Sequence, residues 1–188
     1  QEPLNEKIAS LLQSRLNYMP FVDYDLIFDD EQPLSVCENF ITPQTELISA
    51  YSIYETLPKE KNISSYEHFK RCCEIQGIAN TEKFLNYMLA IDYMIANSDR
   101  HFRNFGVIRN ANTLEWIGFA PLFDCGTSLW FNQIAKNIKP IKYDESQPFA
   151  TSHAKQIGFV TDLTLLDFQK LNGFENDCKK ILSSSKYI

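Results

Sequence analysis

Glycine is scarce in this chain: there are six in 188 residues, at 77, 106, 118, 126, 158 and 173, and they never cluster. That scatter excludes, within these residues, a glycine-rich loop of the kind that cradles phosphates. No apolar run approaches the roughly 18 to 20 residues of a membrane-crossing helix, and the opening QEPLNEKIAS has neither the basic start nor the apolar stretch of a secretory signal. Five cysteines, Cys37, Cys72, Cys73, Cys125 and Cys178, form no CxxC pair, and an odd number so spread is a poor disulfide framework. They read as reduced thiols in a cytoplasmic protein without a membrane partner. Basic runs are missing too. The 18 Lys and Arg residues are scattered against 24 Asp and Glu, for a net charge of -6, which excludes an electrostatic surface for direct nucleic-acid binding.

What is present is material for a core: 44% of the residues are hydrophobic and 13% aromatic, enough for one compact domain or slightly more. Leu4, Ile8, Leu11, Leu12 and Leu16 recur at helical spacing between Pro3 and Pro20, predicting an amphipathic helix over 3–17. FVDYDLIF (21–28) and LSVCENFI (34–41), separated by DDEQP, read as a hairpin. From Glu46 the pattern turns helical: ELISAYSIYETL, then SYEHFKRCCEI behind the capping box SSYE, then TEKFLNYMLAIDYMIAN behind Asn80 or Thr81. The third of these is apolar nearly all round, which marks a helix at the centre of its lobe. NFGVIRN and LEWIGFAPLF, joined by NANT, read as a second hairpin. Residues 132–154 read as irregular, and LTLLDFQKL and FENDCKKILSS as two closing helices.

The informative stretch is ANSDRHFRN (96–104), at the end of the buried helix, followed beyond the hairpin by PLFDCG (121–126). Phosphoryl transfer from ATP needs a carboxylate near the attacking hydroxyl and oxygen ligands for Mg²⁺. Asp99, an Asn five residues later at Asn104, and Asp124 past the hairpin supply that set, with the base-to-Asn spacing of the kinase catalytic loop HRDxxxxN and an Asp where DFG would stand.

NSDRHFRNFG followed by APLFDCGTSLW resembles the N-x-D-x-H-x-x-N-F and P-x-x-D pattern of HipA-like kinases. PLNEKIASLL is similar to the family's αC helix, and SVCENFI to its hinge strand, so the resemblance runs over nearly the whole chain. It implies an α+β, predominantly α, protein-kinase-like C-lobe with a hinge hairpin and αC, most of the N-lobe being absent. Residues 1–41 would be the N-lobe remnant and 42–188 the catalytic lobe. Asp99 would orient or deprotonate the substrate hydroxyl, and Asn104 and Asp124 would hold Mg²⁺. His101 would organise the loop against the phosphates of ATP, Glu38 and Phe40 would meet the adenine edge, and Phe123 would border the nucleotide. Glu6 would pair with a phosphate-binding lysine. That lysine and the phosphate loop precede αC in such kinases, so the chain reads as part of a larger enzyme, inactive by itself. The acceptor implied is Ser or Thr in a protein, and the partners an antitoxin or the missing N-lobe polypeptide.

Two other functions fit the same residues: a non-catalytic interaction module in a toxin-antitoxin or regulatory assembly, and, because DRH also occurs in the lipid-kinase branch, a lipid or small-molecule kinase. Individual residues also have plainer readings. Asp92, inside the apolar helix, needs a partner such as Arg100 or loop amides. Glu6 equally fits a carboxylate in a first helical turn. His68 and His153 read as surface residues, and Trp130, Phe131 and Phe149 as packing.

Overall fold

The first helix forms where its leucines predict it. In the computed structural model, which describes residues 1–138, 140–141 and 144–184, α1 spans Glu2–Leu16, with proline in its first turn and Asn17 as a left-handed cap whose N–H donates to the Gln13 carbonyl. Leu4, Ile8, Ala9, Leu12 and Leu16 are buried, and so are Asn5, Glu6, Ser10 and Gln13. A helix face that buries this many polar groups must meet hydrogen-bonding partners as well as oil. Ser10 shows the pattern: its Oγ donates to the Val22 carbonyl (3.0 Å) and accepts from the Tyr24 N–H (2.9 Å).

The first hairpin is present but shorter than expected. Strands β1 (Asp25–Asp29) and β2 (Gln32–Val36) pair antiparallel through the turn at Asp30 and Glu31. Phe21, expected at the start of the first strand, instead makes an isolated parallel bridge to Leu122, and residues 37–41 extend past the pairing without strand structure. Ile27, Phe28, Leu34 and Val36 stand 39 to 48% exposed on this hairpin.

The helix expected from Glu46 is in fact a strand followed by a short helix. β3 (Thr45–Ser49) pairs with β4 (Gly106–Asn110), which pairs in turn with β5 (Trp116–Phe119), giving the antiparallel order β3-β4-β5, and α2 is confined to Ala50–Tyr54. Pairing partners distant in sequence override local periodicity here. Gly106 makes the pairing possible, since a Cβ there would sit 2.3 Å from the Ile48 carbonyl oxygen.

Helices α3 (Ser65–Ile75) and α4 (Thr81–Met94) follow as read. Ser64 caps α3 by accepting from the Glu67 N–H, whereas Asn80 stands at the start of α4 in a left-handed conformation without a side-chain cap bond. From Phe84 to Asp92 every residue of α4 is buried, as its apolar circumference requires. Around it lie Ala9, Leu12 and Leu16 of α1, Phe69 and Cys72 of α3, Phe105 just before β4 and Val107 within it.

Past β5 the chain is largely irregular, as expected for 132–154, of which Lys139, Lys142 and Tyr143 lie outside the described residues. A 3-10 turn covers Ala135–Asn137, α5 spans His153–Ile157, and the segment read as a helix over 163–171 forms only a 3-10 turn at Phe168–Leu171. α6 (Phe174–Ser183) closes the described chain against α1, where Arg15 pairs with Asp177.

Two residues read as surface are buried. His68 is 1% exposed, its Nε2 lying 3.0 Å from the Tyr54 carbonyl, and His153 is 1% exposed in α5, where burial lowers its pKa. A polar residue on an amphipathic helix faces inward when a carbonyl waits for it, which periodicity does not report. Phe149 does pack, among Tyr66, Phe69 and Phe102. All five cysteines are free, and the described residues hold no cluster of His, Cys, Asp and Glu suited to a metal ion.

Candidate active site

The site begins where α4 runs out. Ile95 caps the helix, Ala96 takes a left-handed conformation (φ 51), and the chain turns away with Asn97 fully buried beneath it. Asn97 holds the turn from both sides: its Nδ2 donates to Asp92 Oδ1 (2.9 Å), and its Oδ1 accepts from the Asp99 N–H (3.1 Å). The backbone entering the loop is thereby tied to the last turn of the central helix.

Arg100 then points inward. With none of its side chain exposed, it gives its Nε and one Nη2 hydrogen to the Asp92 carboxylate (3.0 to 3.2 Å) and the other Nη2 hydrogen to Cys125 Sγ (3.1 Å). Its Nη1 donates to the carbonyls of Asn104 (2.8 Å) and Phe123 (2.5 Å). All five guanidinium hydrogens therefore meet acceptors. Burial alone lowers the pKa of Arg100, and the adjoining Asp92 carboxylate more than reverses that, so the group stays charged. Asp92 thus has the partner its position demanded. One side chain also joins the loop carrying Asp99 and Asn104 to the turn carrying Asp124.

Within the loop, the Asp99 carbonyl accepts from the His101 N–H (2.8 Å) and from Asn104 Nδ2 (3.0 Å). The amide nitrogen of Asn104 is committed, which leaves its Oδ1 as the atom free to act as a ligand. His101 Nδ1 accepts from the Arg103 N–H (3.3 Å), so in the neutral ring the proton sits on Nε2, 4.0 Å from Asp99 Oδ2. The other carboxylate oxygen, Oδ1, accepts from Gln147 Nε2 (2.8 Å).

Asp124 sits in the left-handed region (φ 56), a conformation that Asp tolerates better than most residues. The turn after it is held by α1. Both oxygens of Glu6 accept from the Cys125 N–H (3.0 Å each), Oε1 also accepts from the Gly126 N–H (2.9 Å), and Asn5 Nδ2 donates to the carbonyls of Gly126 (3.0 Å) and Ser128 (2.6 Å). A Cβ at Gly126 would come within 3.2 Å of both Glu2 and Glu6, so glycine permits this approach. Among the described residues no Lys or Arg forms an ion pair with Glu6. Burial accordingly pushes its pKa up to about 7 against the opposing Cys125 N–H, with the neighbouring Asp124 charge adding to the rise.

The remaining expected residues fall nearby. Phe40 packs on Phe123 (centroids 5.6 Å apart), and Phe40 and Glu38 line a cavity of about 580 Å³ with Phe21, Val36 and Pro121. Glu38 is exposed. The fold therefore gathers Asp99, His101 and Asn104 in one loop, links Asp124 and Glu6 to it through the turn, and sets Phe123 and Phe40 against each other at the edge. Sequence reasoning missed Asn97, Gln147 and the sulfur contact of Cys125. Asn97 stands inside the motif and could have been found there, whereas Gln147 lies in an irregular segment with no local signal.

No protein-family model matches the chain. In sequence it is similar to the serine/threonine-protein kinase CtkA of Helicobacter pylori, at 29% identity over 106 residues, which covers 50% of this chain and 30% of that kinase. The match thus spans under a third of the relative's length. In structure it is similar to the crystal structure of the Helicobacter pylori proinflammatory kinase CtkA, with a TM-score of 0.68 and 18% identity over 100% of this chain and 77% of that one. The chain has the fold of that kinase.

Proposed function

We propose that this chain is the C-lobe, hinge and αC of a HipA-like serine/threonine protein kinase, divided near residue 41, that transfers the γ-phosphate of ATP to a Ser or Thr hydroxyl of a protein. The observation that carries the reading is Arg100, which fastens the Asp99–Asn104 loop and the Asp124 turn into one unit. The likeness to CtkA in sequence and fold supports it. In this reading Asp99 Oδ2 accepts the proton of the acceptor hydroxyl while that oxygen bonds to the γ-phosphorus and the bond to the β,γ-bridging oxygen breaks, leaving ADP. The free Oδ1 of Asn104 and the carboxylate of Asp124 are hard oxygen donors of the kind Mg²⁺ takes, and the ion when bound neutralises charge on the phosphates. The cavity at Glu38 and Phe40 would receive the adenine.

Two features support a larger catalytic unit. Glu6 is buried with backbone donors only, which suits a carboxylate awaiting a lysine from an N-lobe strand. The exposed apolar side chains of the β1–β2 hairpin suit a covering sheet. The cytoplasm is the expected compartment, and no helix among the described residues is long and apolar enough to cross a membrane.

The test is Mg²⁺-dependent ATP binding by calorimetry and labelled phosphate transfer, both on the full-length protein. Asp124→Ala should abolish binding. Asp99→Asn should leave binding intact and cut transfer by about a hundredfold or more. Binding and transfer that survive both changes would overturn the assignment; a protein that never binds ATP would favour the interaction module, and label found only in lipid the lipid kinase.

A further inference from the structure

We propose that Gln147 is a positioning residue for Asp99, fixing the rotation of its carboxylate so that Oδ2 faces the acceptor hydroxyl; this rests on the phosphoryl-transfer reading above. Gln147 is 48 positions from Asp99 in sequence, yet its Nε2 donates to Asp99 Oδ1 (2.8 Å) and lies 3.5 Å from the Ser98 carbonyl. A glutamine on a loose loop would give up much of its rotamer freedom to keep such a contact. Here the backbone carrying it is already fixed. Gln156 of α5, 2% exposed, accepts with Oε1 from the Phe149 N–H (3.2 Å) and the Ala150 N–H (2.9 Å), and its Nε2 donates to the Gln147 carbonyl. Phe149 is itself buried in the aromatic cluster. One buried side chain thus staples residues 147–150, and the staple aims Gln147 at the loop.

The choice of an amide is chemically specific. A lysine or arginine at 147 would hold the carboxylate in place by adding a positive charge, which weakens a base. A neutral N–H donor orients one oxygen and leaves the charge of the carboxylate uncompensated. With Oδ1 occupied, Oδ2 is the oxygen left to receive a hydroxyl, with His101 Nε2 at 4.0 Å as its neighbour. Catalytic groups held a fraction of an ångström from the reactive geometry lose rate steeply, so a donor that removes one rotation has kinetic weight.

The experiment is steady-state kinetics on the full-length protein, with ATP affinity by calorimetry and thermal midpoints, for wild type, Gln147→Ala, Gln147→Glu, Gln156→Ala, Asp99→Asn and the double variant Asp99→Asn/Gln147→Ala. Gln147→Ala should lower kcat roughly ten- to a hundredfold while KM for ATP, ATP affinity and the thermal midpoint stay level. Gln147→Glu, similar in shape but without a donor when ionised, should fall at least as far, and Gln156→Ala less. The double variant should be no slower than Asp99→Asn alone, because a positioning residue acts only through the group it positions. Unchanged kcat in Gln147→Ala overturns the inference, and a raised kcat overturns it by showing that Gln147 occupies the acceptor's place. A parallel fall in thermal midpoint and ATP affinity reduces Gln147 to a structural role. An inactive wild type sinks the phosphoryl-transfer reading itself, and this inference with it, whereas an active wild type with an indifferent Gln147 sinks the inference alone.

Discussion

Arg100 and Asp92 form an ion pair in which the side chains are 0 and 1% exposed, and the same guanidinium reaches the carbonyls of Asn104 and Phe123. Burying two charges costs several kcal/mol per ion, so such a pair persists only with good geometry and every donor met. Both conditions hold here. The pair therefore fastens the loop before β4 to the turn after β5, two segments that the β4–β5 pairing already sets side by side.

Removing one partner should cost far more than a surface pair does. Arg100→Met or Asp92→Leu alone is expected to destabilise the protein by about 3–5 kcal/mol, because each strands the other charge, and the double change should recover much of the loss. Arg100→Lys should not rescue, since an ammonium cannot reach two carbonyls, a carboxylate and a sulfur at once. Urea unfolding of the four variants measures this; additive losses would contradict the pairing.

Glu6 predicts a pH dependence with a defined sign. Its pKa in the folded protein is raised from 4.5 to about 7, so between these values the folded state holds a proton that the unfolded state has released. Stability should therefore be greatest below pH 4.5 and fall as pH rises to about 7, then level off, by a total on the order of 3 kcal/mol from this group. Glu6→Gln should flatten the slope in that window. If the N-lobe proposed above supplies a lysine to Glu6, the slope should be absent in its presence and present in the 188-residue chain alone.

Gly106 tests the strand that replaced an expected helix. With a Cβ only 2.3 Å from the Ile48 carbonyl oxygen, Gly106→Ala must push β3 away from β4, and a loss of about 1–3 kcal/mol is expected. Gly77→Ala, with open space around its Cβ but φ +72, should lose less, about 1 kcal/mol, from backbone strain alone. Thermal unfolding of the two variants side by side checks the order.

The β1–β2 hairpin makes the opposite prediction. Phe28→Ser with Leu34→Ser removes side chains that are 47 and 42% exposed, so stability of this chain should stay within about 0.5 kcal/mol while its tendency to self-associate drops. Light scattering against concentration reads the second effect. A large loss of stability would mean that these side chains already pack within the chain.

Much of this protein was legible as a string of residues. The leucines of α1, the SSYE cap of α3 and the apolar circumference of α4 dictate their elements locally, and the spacing of Asp99, His101, Asn104 and Asp124 is what the proposed phosphoryl-transfer reading starts from. Even the need of Asp92 for a partner follows from an acid placed in an apolar helix.

Only the folded chain decided the rest, for one recurring reason: the partner was far away in sequence. Glu46 to Ile48 became a strand because β4 was there to pair with it, and His68 turned inward because the Tyr54 carbonyl needed a neighbour. Glu6 found the amides of Cys125 and Gly126, and Gln147 found Asp99, through contacts that no local pattern encodes. Periodicity and motif spacing are properties of neighbours along the chain, whereas the satisfaction of buried polar groups is a property of neighbours in space. The sequence determined which residues could do chemistry, and the tertiary structure decided which of them meet.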